Sequence, residues 1–140
     1  MYKFIKECRK EYLVNEEYIK KIEEFLNIEL PLILKEFYCK YNGAKINLCT
    51  FYIDDYKYEI SEISPLKYGK CCVEELINAR KDHNIPFNMI PFGNTRGGDY
   101  YYWDILTKNV YLFYHEDIEN PVYICESIEE MFNIMSRDLD

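Results

Sequence analysis

The sequence has little of what a catalytic site requires. It contains two histidines, His83 and His115, and shows no nucleophile–base pair and no phosphate-binding loop. The run His115-Glu116-Asp117 places an imidazole beside carboxylates, but neighbouring residues on a strand point to opposite faces and converge poorly. General acid–base catalysis needs groups within hydrogen-bond reach of each other. We therefore expect no catalytic residues and no cofactor.

Basic residues are too few for a protein that binds nucleic acid. The chain has 17 Lys and Arg against 25 Asp and Glu, a formal net charge of -8. Neutralising phosphates requires clustered basic side chains, so this balance argues against a nucleic-acid partner. It favours a basic protein partner, because opposite charge accelerates encounter. The alternative is that acidity only keeps the protein soluble.

Long apolar runs are also missing. No stretch approaches the roughly 20 apolar residues that span a bilayer. The start of the chain carries Lys3, Lys6, Glu7 and Arg9 and lacks the apolar core of a signal peptide. These absences predict a cytoplasmic protein that does not bind membranes.

The six cysteines lack the paired spacing of a zinc site, so we expect no metal. In the cytoplasm their thiols stay reduced. We interpret them as small, mostly buried core residues. They are Cys8, Cys39, Cys49, Cys71, Cys72 and Cys125.

Among the features that are present, the run from Ile90 to Tyr114 is the most informative. A Gly97-Gly98-Asp99 turn leads into the aromatic strand Tyr100–Leu106, and Thr107-Lys108-Asn109 returns the chain as a second strand. Aromatic residues make up 17% of the chain, and 15 of them are tyrosines. Tyrosine suits half-buried strands and contact surfaces alike. The hairpin therefore favours a binding protein over a catalyst.

Before Gly43 the apolar residues recur about every four positions, which predicts three helices. The first covers residues 2–13 and is either separate from the second or continuous with it. Asn15 is the expected N-cap of the second helix, and Pro31 the first residue of the third, which Asn42-Gly43 ends through a left-handed residue. The second helix has one apolar stripe, formed by Tyr18, Ile22, Phe25 and Leu26.

After Gly43 the apolar period changes to two, which predicts a meander of strands with a helical insertion around Cys72–Asp82. A Ser127–Glu130 capping box opens a C-terminal helix. With 140 residues the chain is expected to be one domain. We predict an α+β fold: an antiparallel, twisted sheet of about six strands, with N-terminal helices and the C-terminal helix on one face. The expected strands are Ile46–Ile53, Tyr58–Ile63, Asn88–Phe92, Tyr100–Leu106, Val110–His115 and Val122–Cys125, the first two joined by Asp54-Asp55-Tyr56-Lys57.

Alternation along Tyr100–Leu106 separates core residues from candidate contact residues. One face carries Tyr101, Trp103 and Ile105, which we expect in the core. The other face carries Tyr100, Tyr102 and Asp104, which we expect to be half-exposed and able to join a contact patch, although aromatic strands are more often simple packing.

Charged residues in loops supply the remaining candidates for partner binding. Gly97-Gly98 most simply forms a tight turn. The Asp99 carboxylate can accept hydrogen bonds from the backbone N–H groups of this turn. Arg96 can pair with Asp99 or reach a partner carboxylate. For a basic partner, the first candidates are the acidic residues Asp54, Asp55, Glu59, Glu62, Glu116 and Asp117.

Taken in order, these motifs resemble those of the SUKH superfamily, which includes the Smi/Knr cell-wall regulators and many bacterial immunity proteins. The opening signature is Ile28-Glu29-Leu30-Pro31 followed by a helix that ends in Asn42-Gly43. The central signature is Ile90-Pro91-Phe92 with Gly98-Asp99 and its aromatic strand, and the closing one is Val122–Phe132. The resemblance spans roughly residues 15–135 and does not extend to the stretch 45–70.

The resemblance implies a non-catalytic domain that binds another protein. In bacteria the usual partner is the toxin domain of a polymorphic or contact-dependent toxin, often a nuclease, so the main hypothesis is an immunity protein that neutralises a basic toxin. A regulatory domain of the cell-wall signalling type is the second. A small enzyme that uses a cysteine or the His115 region is the third, disfavoured because a cysteine nucleophile needs an activating base. The oligomeric state is left open.

Overall fold

The computed structural model describes residues 2–137 and contains helices and antiparallel strands, so the predicted α+β class is confirmed. Asn15 caps the first helix as predicted, its Oδ1 accepting the Tyr18 N–H at 2.8 Å. Pro31 lies one residue before its helix rather than at its first position, and Gly43 follows that helix with a φ of +76°. The helices are α1 Glu16–Leu26, α2 Leu32–Tyr41, α3 Val73–Arg80 and α4 Ile128–Arg137.

The prediction of a helix over residues 2–13 is wrong, and so is its possible continuity with α1. This segment forms a short strand, β1 Ile5–Glu7, and one 3-10 turn at Lys10–Tyr12. Its only fully buried side chain is Phe4, which lies 5.5 Å from the Phe132 ring. Contacts with distant residues thus fix the segment, and local apolar spacing does not reveal them.

After β1 the strands are β2 Lys45–Ile46, β3 Cys49–Ile53, β4 Tyr56–Ile60, β5 Glu62–Ile63, β6 Met89–Asn94, β7 Tyr100–Asp104, β8 Val110–Phe113 and β9 Val122–Cys125. Five of them form the main antiparallel sheet, in the order β5-β6-β7-β8-β9, and two-stranded sheets β1-β2 and β3-β4 accompany it. Ser61 separates β4 from β5, and its N–H donates to the Asn94 carbonyl of β6 at 2.9 Å. Because the strands divide among three sheets, the predicted count of about six strands in one sheet is only roughly matched.

The hairpin β3-β4 is tighter than its four-residue predicted turn. Ile53 pairs with Tyr56, so the turn consists of Asp54 and Asp55 alone. Both residues have positive φ, 49° and 72°, as a two-residue type I′ turn requires. Asp tolerates this left-handed region better than most residues, which explains why the sequence carries two of them here.

The main core lies on one face of the sheet. It includes Tyr101 and Trp103 of β7, as alternation predicts, and α4 contacts β3, β9 and α2. In α1 the buried residues are Ile19 and Ile22, whereas Phe25 is 80% exposed, so the predicted stripe is rotated. The Ser127 hydroxyl accepts the Glu130 N–H at 3.0 Å and caps α4 as predicted.

A second, smaller cluster covers part of the opposite face. It consists of Ile85 and Met89 packed on Tyr102 and Phe113. Helix α3 contacts β6, and the Arg80 guanidinium donates to the Met89 carbonyl at 3.0 Å. The predicted arrangement concerned the N-terminal and C-terminal helices and is roughly matched. Helix α3 also packs into the main core through Val73 and Ile77, and the segment after it covers part of the outer face through Ile85.

Candidate functional site

The end of the β3-β4 hairpin, where two of the predicted partner-binding residues lie, exposes both acidic and aromatic side chains. Asp54 and Asp55 are exposed, and neither carboxylate has a partner within residues 2–137. Tyr52 and Tyr56 are 70% and 71% exposed. We call Tyr52, Asp54, Asp55 and Tyr56 the acidic tip. Exposed tyrosines are common anchors of protein interfaces, and the turn holds the carboxylates on a rigid hairpin.

Sequence reasoning missed the two tyrosines of the acidic tip. Tyr52 could have been found, because alternation with buried Cys49 and Phe51 places residues 50 and 52 on the outer face. Tyr56 had no such signal, since the four-residue turn assumed for residues 54–57 removed it from the strand.

Arg96 pairs with Glu59, a partner that the sequence did not suggest. The guanidinium contacts the Glu59 carboxylate at 2.7 Å and 3.1 Å, and the Arg96 N–H donates to it at 3.1 Å. These hydrogen bonds hold the pKa of Glu59 below its usual value. The pair joins strand β4 to the β6-β7 turn, so both side chains already have a structural role.

Asp99 is also engaged within the protein. Its Oδ1 accepts the His115 backbone N–H at 2.9 Å and lies 2.7 Å from His115 Nδ1. His115 Nε2 lies 3.7 Å from the Glu116 carboxylate. Asp99 thus tethers the loop after β8 rather than accepting N–H groups of its own turn. The expectation that His115 and Glu116 diverge is wrong, because β8 ends at Phe113 and strand alternation no longer applies.

Two of the three outer-face residues of β7 are buried. Tyr102 is 7% and Asp104 5% exposed, so their predicted half-exposure is wrong, while Tyr100 is half-buried as expected. Burial raises the pKa of Asp104, but hydrogen bonds from Asn88 Nδ2 and the Leu106 N–H outweigh this and hold it below its usual value. Asp104 closes the β7-β8 turn and is not available to a partner.

The remaining acidic candidates are exposed. Glu62 lies 3.3 Å from Asn94 Nδ2, Asp117 accepts from Asn120 at 2.8 Å, and the Glu116 side chain is 87% exposed. The structure thus joins Glu59 to Arg96 and links Asp99 to Glu116 through His115. Among the candidate residues, the solvent-facing carboxylates are therefore those of the acidic tip and of Glu62, Glu116 and Asp117.

The cysteines offer little support for nucleophilic chemistry. Burial raises the pKa of Cys125 to about 11 and that of Cys39 above its ordinary value, which disfavours the reactive thiolate. Three cysteines, Cys49, Cys72 and Cys125, are buried and Cys39 is half-buried, whereas Cys8 and Cys71 depart from the expected burial and are exposed. Within residues 2–137 no three His, Cys, Asp or Glu side chains converge as a metal site requires.

Nor does the described part of the chain contain a helix that is long and apolar enough to cross a membrane. Fold and surface together define an α+β protein that presents acidic and aromatic side chains on a hairpin and loops.

The chain belongs to the SMI1 / KNR4 family (SUKH-1), whose family model matches residues 13–134. The resemblance inferred from the three ordered signatures is therefore confirmed, and the match also covers the stretch 45–70. None of the curated proteins compared with the chain is similar to it in sequence.

Proposed function

We propose that this protein is a cytoplasmic immunity protein that binds a bacterial toxin domain and neutralises it without turnover. Membership of the SUKH-1 family supports a protein partner in general. The proposal of a toxin partner rests on the acidic tip. This surface combines two unpaired carboxylates with two exposed tyrosines at the end of a hairpin. A basic toxin surface, such as that of a nuclease, is complementary to it.

The proposed mechanism is occupation of the toxin surface. Negative potential steers the basic toxin toward the tip, and Tyr52 and Tyr56 supply apolar contact area at little cost in conformational entropy. The buried Asp104 and Tyr102 take no part in this contact. Glu62, Tyr100, Glu116 and Asp117 remain candidates at its periphery, while Glu59, Arg96 and Asp99 keep the scaffold rigid.

The test starts with the toxin encoded next to this gene. Co-expression is expected to rescue growth, and the purified pair to form a one-to-one complex measured by calorimetry. The double variant Asp54→Asn/Asp55→Gly removes both charges and retains residues that accept positive φ. We expect it to raise the Kd about tenfold, the equivalent of 1.4 kcal/mol, because carboxylate contacts are lost.

A matched control removes two exposed carboxylates elsewhere. Glu24→Gln/Asp82→Asn makes the same change in net charge, and we expect its Kd to stay within about twofold of the wild type because rim charges far from a contact act weakly. Equal affinities for the two double variants would exclude the acidic tip from the interface. Failure of the wild-type protein to bind or rescue would refute the immunity function and favour the regulatory alternative.

A further inference from the structure

We propose that a second surface, a basic cleft, binds an acidic peptide segment in an extended conformation. The cleft has a volume of about 550 Å³ and lies between the N-terminal segment, strands β2 and β5, and the loop 65–71. This volume is in the range of specific binding sites. The proposal does not depend on the toxin or on the acidic tip.

Charge is the first argument for an acidic occupant. The cleft is lined by four basic side chains, Lys6, Arg9, Lys45 and Lys70, and by one acidic side chain, Glu62. This concentration occurs in a protein with a net charge of -8. Lys45 lies 3.7 Å from Glu7, but within residues 2–137 the other three form no salt bridge. Three cations are therefore available to anionic groups that enter the cleft.

The divergence of two strands is the argument for a peptide rather than a small anion. Strands β3 and β4 stay paired as far as Cys49 and Ile60. Beyond that pair, β2 joins β1 and β5 joins β6, and the cleft opens between β2 and β5. Each is an edge strand with a neighbour on one side, and such an edge offers N–H and C=O groups to an added extended chain.

Aromatic contacts stabilise one wall of the cleft. Tyr12 packs edge-on against Tyr68 at 5.3 Å, and the Arg9 guanidinium lies 5.6 Å from the Tyr12 ring. A Cβ added to Gly43 would lie 2.6 Å from Tyr12 Cβ, so only glycine permits this approach. The rings hold Arg9 in place and give apolar side chains of a bound peptide a surface to contact.

Part of this wall lies outside the segment that the family shares. The family match begins at residue 13, whereas Lys6, Arg9 and Tyr12 precede it. The basic character of the cleft therefore owes much to residues that are not part of the common family pattern.

The test uses a fluorescein-labelled, end-blocked peptide that alternates glutamate and valine, three of each, measured by fluorescence anisotropy. We expect this peptide to bind the wild-type protein and to protect the cleft, whereas a matched lysine–valine peptide should not bind in the cleft. The variant Lys6→Gln/Arg9→Gln/Lys70→Gln should weaken binding at least tenfold. The control Lys20→Gln/Lys21→Gln/Lys81→Gln removes the same charge from exposed positions and should bind as the wild type does.

Hydrogen exchange provides a readout that needs no variant. The glutamate–valine peptide should protect backbone amides of β2 and β5 in the wild-type protein, because an added strand bonds to the edge. Equal binding by both triple variants, or no binding by the wild type, would overturn the proposal. So would binding of inorganic triphosphate in place of the peptide, since this outcome identifies a small-anion site.

Discussion

At the scale of single residues, Asn42 joins the end of α2 to two distant segments of the chain. The residue is fully buried. Its side-chain amide N–H groups donate to the backbone carbonyls of Tyr12 and Leu66, and its Oδ1 accepts a hydrogen bond from the Leu66 N–H. These partners lie 30 and 24 residues away along the chain, so the side chain fixes tertiary contacts as well as the end of its helix.

Replacing Asn42 with alanine should therefore destabilise the protein severely. The substitution leaves buried backbone groups of Tyr12 and Leu66 unpaired, and we expect a loss of about 2–4 kcal/mol in the free energy of unfolding. Urea denaturation followed by circular dichroism measures it. Asn78→Ala, at an exposed position of α3, should change the stability by less than about 0.5 kcal/mol. Similar values for the two variants would contradict the role of Asn42.

At the scale of elements, prediction succeeded where neighbours in sequence also pair in space. The hairpin β7-β8 and helices α1, α2 and α4 have their signals within one short window. Strand β1 was not predicted, because its partner β2 lies some forty residues further along the chain and the spacing of its apolar residues also fits a helix. The break between β4 and β5 was missed too, because it depends on a change of pairing partner from β3 to β6.

The close approach of β5 to β6 gives a prediction about Gly93. A Cβ at this position would lie 2.7 Å from Ile60 Cδ1 and 3.0 Å from the Glu62 carbonyl oxygen. Gly93→Ala should cost about 1–3 kcal/mol of unfolding free energy, because the backbone of β5 must move away. Gly97→Ala is the matched control, since its nearest neighbour would be 3.7 Å away. Urea denaturation should separate the two variants, and equal stability would argue against this packing.

At the scale of the whole molecule, charge is distributed unevenly. Composition correctly gave an acidic protein, but it concealed the basic cleft, because four basic residues separated in sequence come together only after folding. Composition also could not place Tyr102 and Asp104 inside. Tyr102 packs with Ile85 and Phe113, and Asp104 is bonded to Asn88, so both depend on contacts formed only after folding. The surfaces available to partners are thus the part of the site that sequence predicts least well.

From the net charge of -8 we predict how salt affects the rate of toxin binding. The association rate constant should fall about tenfold between 20 mM and 200 mM salt, because screening removes the steering attraction. Stopped-flow fluorescence measures it, and dissociation should change much less. An association rate that is independent of salt would show that the net charge serves solubility alone.

The anchoring of the first residues by Phe4 has an evolutionary consequence. Phe4 holds this segment in the core, while Lys6 is exposed and Arg9 half-buried at the rim of the cleft. Surface substitutions of this kind usually change stability little. Mutation can therefore vary the ligand preference of the cleft one cation at a time, while the architecture that the lineage inherits stays intact.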